Sequence, residues 1–360
     1  MANFIFKRLF YGILVFFGVL TVVFFLFTIL PGDPARMMAG QQVDEATLRA
    51  IRSEMGLDKP VWAQYGHYVT DLLPVGIVEA NDCAENEKIT EQKPSKIFRL
   101  LHLGHSCLVL KIPSLRTSWQ SRREVTSILA DALPKTLILA FVSIIFAMFC
   151  GVALGAVVAA VDKEWLNRAV LVVTVFGMSL PSFFAAVLIA WIFAFLLADY
   201  TGLSMFGSLY SVDHYGLGSQ LELKNIILPA FTLGIRPLAI VTELTRSSVR
   251  EVLAHDFVRT AKAKGLKNRQ IIWRHALRNA LNPVVTAVSG WFASLLAGAV
   301  FVEYVFDWKG IGVVIVDALE KFDLPVLMGA VLIIAVMLII INTFVDIVYG
   351  ILDPRIRIRT

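Results

Sequence analysis

The chain has 360 residues, of which 57% are hydrophobic and only 17% are charged. A soluble domain carries roughly 25% charged residues, so this composition excludes an ordinary soluble protein and indicates an integral membrane protein. The net charge of +5 does not indicate nucleic-acid binding, because the basic residues flank apolar runs and no aromatic-rich soluble domain accompanies them.

Six apolar runs are each long enough, at about 20 residues, to cross a bilayer as a helix. They predict an all-α polytopic membrane protein with spans at Leu9–Leu30, Leu133–Val161, Leu166–Ala198, Asn225–Leu244, Pro283–Val302 and Leu324–Leu352. The first run is too long for the apolar part of a signal peptide and lacks a small-residue cleavage site, so it is predicted to be a retained span.

Proline and glycine residues inside the spans carry further predictions. Pro181 lies within the third span and is expected to kink or break it. Three glycines are expected to let neighbouring helices approach closely: Gly151, Gly155 and Gly177.

Residues 31–132 form a long polar segment between the first two spans. One helix is predicted between Asp44, a residue type that caps helices, and Gly56, a residue type that ends them. A second helix is predicted after Pro60. The stretch 76–100 is polar and aperiodic, and it is predicted to be an insertion without regular structure.

Charge asymmetry predicts which loops face the cytoplasm. Four regions that carry lysines or arginines are predicted to face the cytoplasm: the N-terminus, the turn at 162–168, the loop at 246–282 and the C-terminal tail. The loops at 199–226 and 304–324 carry more acidic than basic residues and are predicted to face outward, as is the segment 31–132 by alternation. Both termini are therefore predicted to be cytoplasmic.

The loop at 246–282 contains nine lysines and arginines but only two acidic residues, Glu251 and Asp256. Its pattern predicts two short amphipathic helices on either side of Gly265. Phe257 and Ala261 lie one turn apart on the first, and the second is predicted to be capped by Asn268. Anchoring to anionic lipid headgroups would explain the charge alone, whereas a folded helix–glycine–helix element favours docking to a partner protein.

Arg236 lies near the middle of the fourth span, where an unpaired arginine costs at least about 2.5–3.5 kcal/mol. It is therefore expected to face a partner or an aqueous cavity. Glu243 lies two turns later on about the same face. Two interpretations remain open: these residues line the translocation path together with Pro181, or they form structural pairs within the membrane, including pairs with another subunit.

The cysteines, and the motifs that the sequence lacks, limit the possible functions of the chain. Cys83 and Cys107 fall in the external segment, where either a disulfide or two thiols are compatible with the sequence. Cys150 is predicted to be an inert thiol, and no spacing predicts a metal site. The chain lacks a phosphate-binding loop, and its spans lack the carboxylate-rich interior typical of an ion-driven carrier, with Glu243 as the main exception. An energy source is therefore expected from outside this chain.

The stretch RTAKAKGLKNRQIIWRHALRNALNPVVT, at 259–286, resembles the cytoplasmic coupling loop of binding-protein-dependent ABC importer permeases, and more narrowly their dipeptide/oligopeptide/nickel branch. Segments resembling the same branch occur in order along nearly the whole chain apart from 76–100: ILPGDPARMMAG at 29–40, MGLDKPVWAQY at 55–65, LPKTLILA at 133–140, SLPSFF at 179–184, LTRSSVREVL at 244–253, VFDWKGIG at 305–312 and NTFVDIVYGILDPRIR at 342–357. The PGDP segment is similar to that of the B-type subunit.

This resemblance implies a type I importer permease of the bacterial inner membrane. It divides the chain into the N-terminus with the first span (1–30), an external segment (31–132) and a permease core (133–360). The implied partners are a homologous second permease, two cytoplasmic ATPases that bind ATP and Mg²⁺, and an external binding protein. The permease itself is expected to be neither an enzyme nor a cofactor-binding protein.

The residues predicted to contact the ATPase are Phe257, Arg259, Thr260, Ala261, Ala263, Gly265 and Leu266. The broad ABC pattern begins with Glu-Ala-Ala, whereas this chain has Arg259, Thr260 and Ala261, a version common in peptide-type permeases. Di- or oligopeptides are the predicted cargo, with nickel chelates or glutathione as alternatives. A secondary transporter that works alone is the alternative from a different class.

Overall fold

The computed structural model describes residues 2–29, 35–36, 44–79, 98–103, 106–111, 113–161, 163–212 and 219–352. The chain divides into two compact units. The larger unit comprises Met1–Val15, Asp131–Val316 and Ile333–Thr360, and the smaller unit comprises Phe16–Ala130 and Asp317–Leu332.

The described helices account for the six predicted spans. Four are single helices long and apolar enough to cross a membrane: Phe6–Ile29, Val125–Val161, Leu223–Leu253 and Leu324–Ile347. Two more are bent pairs, Glu164–Ser179 with Ser182–Leu196 and Pro283–Leu296 with Gly298–Val305, with bends of 109° and 55°. The described part of the chain therefore contains six spans if each bent pair counts as one.

The smaller unit contains the second half of α1 (Ala2–Ile29), α2 (Glu45–Glu54) and α3 (Val61–Leu72). Both helices predicted in the polar segment are therefore confirmed, and Gly56 after α2 has a left-handed φ of 68°. Aromatic rings hold α3 to α1: Phe24 and Phe25 lie 5.2 and 5.5 Å from the Tyr65 ring. The Tyr65 hydroxyl also contacts Thr21 Oγ1 at 2.8 Å.

A three-stranded antiparallel sheet includes both ends of the stretch where an unstructured insertion was predicted, and residues 80–97 between them lie outside the described residues. Its strands are β1 (Val75–Glu79), β2 (Phe98–Leu103) and β3 (Ser106–Leu110), in the order β1–β3–β2. The prediction for 76–100 is thus wrong at both ends of the stretch, because these short strands pair with β3, outside the polar run. Cys107 lies in β3 opposite Val78, whereas Cys83 lies outside the described residues, so the disulfide stays a prediction.

A buried carboxylate orders the turn that precedes the second span. Asp323 is 4% exposed and accepts hydrogen bonds from Ser118 Oγ at 2.5 Å, the Trp119 backbone at 3.1 Å and the Gln120 backbone at 3.4 Å. The helix that follows, α4, runs over Val125–Val161. It begins eight residues before the predicted Leu133, since polar residues outside the apolar run also adopt the helix.

The larger unit contains α4 from Asp131 onward and most of the remaining helical residues. The remaining helices are α5 (Glu164–Ser179), α6 (Ser182–Ile189, continued by a π-helix at Ala190–Leu196), α7 (Ala198–Thr201), α8 (Ile227–Leu253), α9 (Asp256–Ala263), α10 (Asn268–Gln270, continued by a π-helix at Ile271–Ala276), α11 (Leu277–Val305), α12 (Ile311–Glu320) and α13 (Leu324–Leu352). A short hairpin, β4 (Tyr210–Val212) with β5 (Ser219–Leu221), lies between α7 and α8.

Two details of this unit were missed by the sequence analysis. The predicted loop at 246–282 is not a loop at its start, because α8 continues nine residues past Leu244 to Leu253. The predicted loop at 304–324 contains α12. A buried core joins α4, α6, α8, α11 and α13, with members that include Leu139, Ile189, Leu233, Leu296 and Ile341.

The predicted roles of proline and glycine are confirmed. The third span breaks at Leu180-Pro181, with α5 and α6 bent by 109°. An ideal Cβ on Gly155 would lie 2.5 Å from the Thr242 carbonyl oxygen, and one on Gly151 would lie 2.8 Å from a Val241 methyl. These two glycines on α4 therefore allow the close approach of α8.

Candidate functional site: a basic helix–glycine–helix element

The element between α8 and α11 consists of α9, Gly265 and α10 with its π-helix. It begins after a two-residue turn, where His255 is extended with φ −73° and ψ 152°. Asp256 lies in the first turn of α9 and Lys262 in the last, which places each charge where the helix dipole favours it. Arg259 pairs with Asp256 at 3.5 Å, and both side chains are exposed.

Gly265 ends α9 in a Schellman turn. The Gly265 N–H donates to the Lys262 carbonyl at 2.9 Å, and the Leu266 N–H donates to the Ala261 carbonyl at 3.3 Å. This double closure requires a left-handed residue between the helix and the next segment, and Gly265 has φ 80°. No described atom lies within 4 Å of an added Cβ, so a side chain here would be strained by the backbone and not by crowding.

A small apolar core stabilises the turn. Val258, Ala261 and Ile271 are buried against one another, with Leu253 and Leu266 packed around them. The predicted pairing of Phe257 with Ala261 is corrected by this core: Val258 is fully buried, whereas Phe257 is 40% exposed. On a helix of only eight residues, the positions of Leu253 and Ile271 decide which neighbour turns inward.

The second arm connects the element to the membrane helices. Lys267, not the predicted Asn268, occupies the N-cap position, and its backbone N–H donates to Gln270 Oε1 at 3.3 Å. Ile272 and Ala276, four residues apart on this arm, are both buried. Ala276 and Leu277 pack with residues of α4 and α8 in one core, so the arm is fixed to both helices.

The outer surface of the element is strongly basic. Six cations of the element are exposed: Arg259, Lys262, Lys264, Lys267, Arg269 and Arg274. Of the predicted contact residues, Ala261 is buried, Leu266 is half-buried, and the others are exposed: Phe257, Arg259, Thr260, Ala263 and Gly265. The element thus presents most of these residues to a partner, while its own core holds its shape.

Arg236 and Glu243 have separate partners. Arg236 Nη2 donates to the Met178 carbonyl at 3.3 Å, near the end of α5 at the Pro181 break. It also lines a cavity of about 40 Å³ with Trp291. Glu243 forms a two-point pair with Arg246 on the same helix, at 2.5 and 3.0 Å.

Sequence reasoning missed Glu303, a fully buried carboxylate near the end of α11. Its Oε2 accepts the Gly312 backbone N–H at 2.6 Å. It is the first charged residue after Arg278 in an otherwise apolar run, and that isolation is the signal that could have identified it.

Comparison with known proteins identifies the family. Residues 151–358 match the binding-protein-dependent transport system inner membrane component, and residues 1–86 match the N-terminal model of such membrane components. A glutathione transport system permease protein of Salmonella typhi is 33% identical over 100% of both chains. A dipeptide transport system permease protein of Alkalihalophilus pseudofirmus is 32% identical over 99% of this chain and 100% of its own length.

A solved structure of the MetNI methionine ABC transporter in inward-facing conformations shares the fold. It is 15% identical with a TM-score of 0.50, covering 63% of this chain and 97% of that chain. The six spans found in the described residues agree with the family match, which covers more than half of the sequence. The chain therefore belongs to the family of inner membrane components of binding-protein-dependent transport systems, the permeases of ABC importers.

Proposed function

We propose that this chain is the transmembrane permease subunit of an ATP-driven importer of di- or oligopeptides, and that its basic element docks on a cytoplasmic ATPase. The observation that carries the proposal is the closed turn at Gly265 on its own apolar core. Lipid anchoring needs only positive charge and would not require this fold. Peptide cargo is supported by the names of the relatives, which include dipeptide and di/tripeptide permeases.

The positive-inside pattern supports a cytoplasmic element and cytoplasmic termini. The assembly would then contain a homologous second permease, two ATPases and an external binding protein. ATP and Mg²⁺ would be held by the ATPases, and this chain would catalyse no reaction itself. Closing of the ATPases would bias the permease between inward-facing and outward-facing states through the element, a coupling of two sites through two global states.

Gly265→Asp tests the docking proposal, with Gly56→Asp as a matched control. Both glycines have left-handed φ angles, 80° and 68°, and no described atom within 4 Å of an added Cβ. Backbone strain is therefore similar, but only Gly265 lies in the element. We expect Gly265→Asp to abolish ATP-dependent uptake or ATPase co-purification, while Gly56→Asp retains both. Normal uptake by Gly265→Asp would refute docking at this turn.

The cargo and the transporter class need separate measurements. Glutathione and nickel chelates are the alternative cargoes, and glutathione is supported by relatives of the same similarity. Competition of each compound with a labelled dipeptide, in vesicles that contain the complete complex, distinguishes them. A secondary transporter would import without any ATPase, so uptake by this chain alone would refute the ABC proposal.

Arg236, Glu243 and Pro181 remain the proposed translocation-path residues. The cavity beside Arg236 and the helix break at Pro181 support the path, whereas the Glu243–Arg246 pair supports a structural role for Glu243. Arg236→Gln is expected to lower the uptake rate without loss of the complex. Full uptake by this variant would exclude Arg236 from the path.

A further inference from the structure

The N-terminus of α12 is held by polar groups from two other helices. Gly312 N–H donates to Glu303 Oε2 of α11 at 2.6 Å, and Ile311 N–H donates to Thr136 Oγ1 of α4 at 2.9 Å. In the turn before α12, Trp308 Nε1 donates to the Lys135 carbonyl at 3.0 Å. Three successive contacts therefore join α4, α11 and α12, and we call this set the Glu303 clamp.

The two glycines of the clamp are required by its geometry. A Cβ on Gly312 would lie 2.5 Å from Val300 Cα and 2.8 Å from Glu303 Oε2, and one on Gly310 would also overlap the Glu303 carboxyl group. The Gly312 overlap is with the Val300 backbone, so that position must lack a side chain, whereas a side chain at position 310 would displace the Glu303 carboxyl group. Glu303, Gly310 and Gly312 therefore form a single packed unit.

A buried carboxylate is a costly way to hold a helix. Glu303 has no exposed surface, and its Oε1 has no hydrogen-bond partner among the described residues. Removing a charged group from water costs free energy unless each of its polar atoms has a hydrogen-bond partner. Ionisable groups within spans are retained, in general, because they have a function. The N-terminal dipole of α12 and the Gly312 N–H offset only part of that cost.

The position of Glu303 on α11 suggests what the clamp does. The helical chain from the π-helix at Ile271–Ala276 runs directly into α11, which ends two residues after Glu303. At 1.5 Å per residue, roughly 40 Å of helix path separates the basic element from the clamp, and the 55° bend between Leu296 and Gly298 lies on that path. A displacement of the element would therefore be carried along α11 to the clamp.

We propose that Glu303 is a positioning residue of the transport cycle: with Thr136, it locks α12 and α4 to the far end of α11 so that the three helices move together. This inference rests on the proposed import function. Without the lock, the ATPases still hydrolyse ATP, but movement of α11 no longer shifts α12, and hydrolysis becomes uncoupled from uptake.

The test compares Glu303→Met, Glu303→Gln, Thr136→Val and Thr136→Ser in the complete complex reconstituted in vesicles. The readouts are complex yield, ATPase rate and peptide taken up per ATP hydrolysed. Glu303→Met removes the acceptor at similar volume and is expected to lower uptake per ATP about tenfold, the effect of losing one buried hydrogen-bond partner. Glu303→Gln and Thr136→Ser retain an acceptor and are expected to stay within about threefold of the wild type.

Asp317→Asn is the matched control. Asp317 is an exposed acid on α12, in an i,i+4 pair with Lys321 at 3.8 Å. Its variant should take up as much peptide per ATP hydrolysed as the wild type. Wild-type uptake per ATP in Glu303→Met overturns the clamp proposal. If Glu303→Met does not assemble, Thr136→Val decides, because it removes one hydroxyl group only: normal coupling overturns the proposal, and a loss restored by Thr136→Ser supports it. Absence of ATP-dependent uptake in the wild type would instead refute the proposed function.

Discussion

Gly155→Ala is expected to weaken the contact between α4 and α8, although it adds only one methyl group. The new Cβ would lie 2.5 Å from the Thr242 carbonyl oxygen, 2.7 Å from Thr245 Cβ and 3.1 Å from the Arg246 backbone nitrogen. Carbon atoms in good contact lie about 3.5–4.0 Å apart, so the helices must separate by roughly 1 Å at this point. Two of the three neighbours are backbone atoms and cannot rotate away.

The magnitude follows from this separation. A gap of about 0.5–1 Å forfeits a quarter to a half of the dispersion energy at each contact, and overpacking of this kind typically costs about 1–3 kcal/mol. For a unit of this size, about 1 kcal/mol lowers the melting temperature by roughly 2–4 °C. We therefore expect Gly155→Ala to melt roughly 2–12 °C below the wild type.

Thermal unfolding of the purified protein in detergent measures this effect, and two other glycines calibrate it. An added Cβ on Gly290 has no described atom within 4 Å, and one on Gly12 meets only the Ile339 Cγ2 methyl at 2.9 Å. Gly290→Ala should be neutral or stabilising, because alanine favours the helix, and Gly12→Ala should be intermediate. Equal melting temperatures for Gly155→Ala and Gly290→Ala would refute the close approach of α4 and α8.

Three further predictions concern other parts of the chain. Burial raises the pKa of the Tyr68 hydroxyl, so the unfolded chain loses the tyrosine proton before the folded chain does, at a pH above about 10. The free energy of unfolding of the wild type should therefore fall above this pH, and that of Tyr68→Phe should fall less. Melting temperatures between pH 8 and 11 measure the difference. Val258→Asp buries a charge in the apolar core of the element and should abolish ATPase co-purification. Lys262→Asp changes the exposed face and should retain more of the ATPase. Equal loss of ATPase in the two variants would show that the charge of the element matters and its fold does not. Arg8 pairs with Asp346 at 2.9 Å, and a double-mutant cycle should give about 0.2–1 kcal/mol that decreases with salt, while a coupling of zero would exclude the pair.

The positions of the spans could be predicted from the sequence, because long apolar runs dominate any local signal. The helix ends could not. α8 continues through Arg246 and Arg250 to Leu253, since charged residues mark where the chain leaves the membrane and not where the helix stops. The same reason explains why α4 begins at Val125 and not at Leu133.

The contacts of the candidate sites depend on partners that are distant in sequence. Glu303 and Ile311 meet α4 through Thr136, more than 160 residues earlier, and no local pattern encodes that meeting. Phe257 and Val258 are neighbours on a short helix, and both are apolar, so periodicity could not select the buried one. Gly265 was predictable because its role is local: only the backbone conformation of one turn is involved.

α4 contacts both helices that flank the basic element, α8 before it and α11 after it, and this leads to a final prediction. It meets α8 at Gly155 and the Glu303 clamp at Thr136, 19 residues apart on one helix, or roughly 28 Å. Stability effects of sites this far apart add, so the melting-temperature losses of Gly155→Ala and Glu303→Met should sum in the double variant. Uptake per ATP should not multiply in the same way, because a movement already lost at one contact cannot be lost again at the other. Multiplicative losses in uptake per ATP would instead mean that the two contacts transmit independently, and that α4 does not serve as their common support.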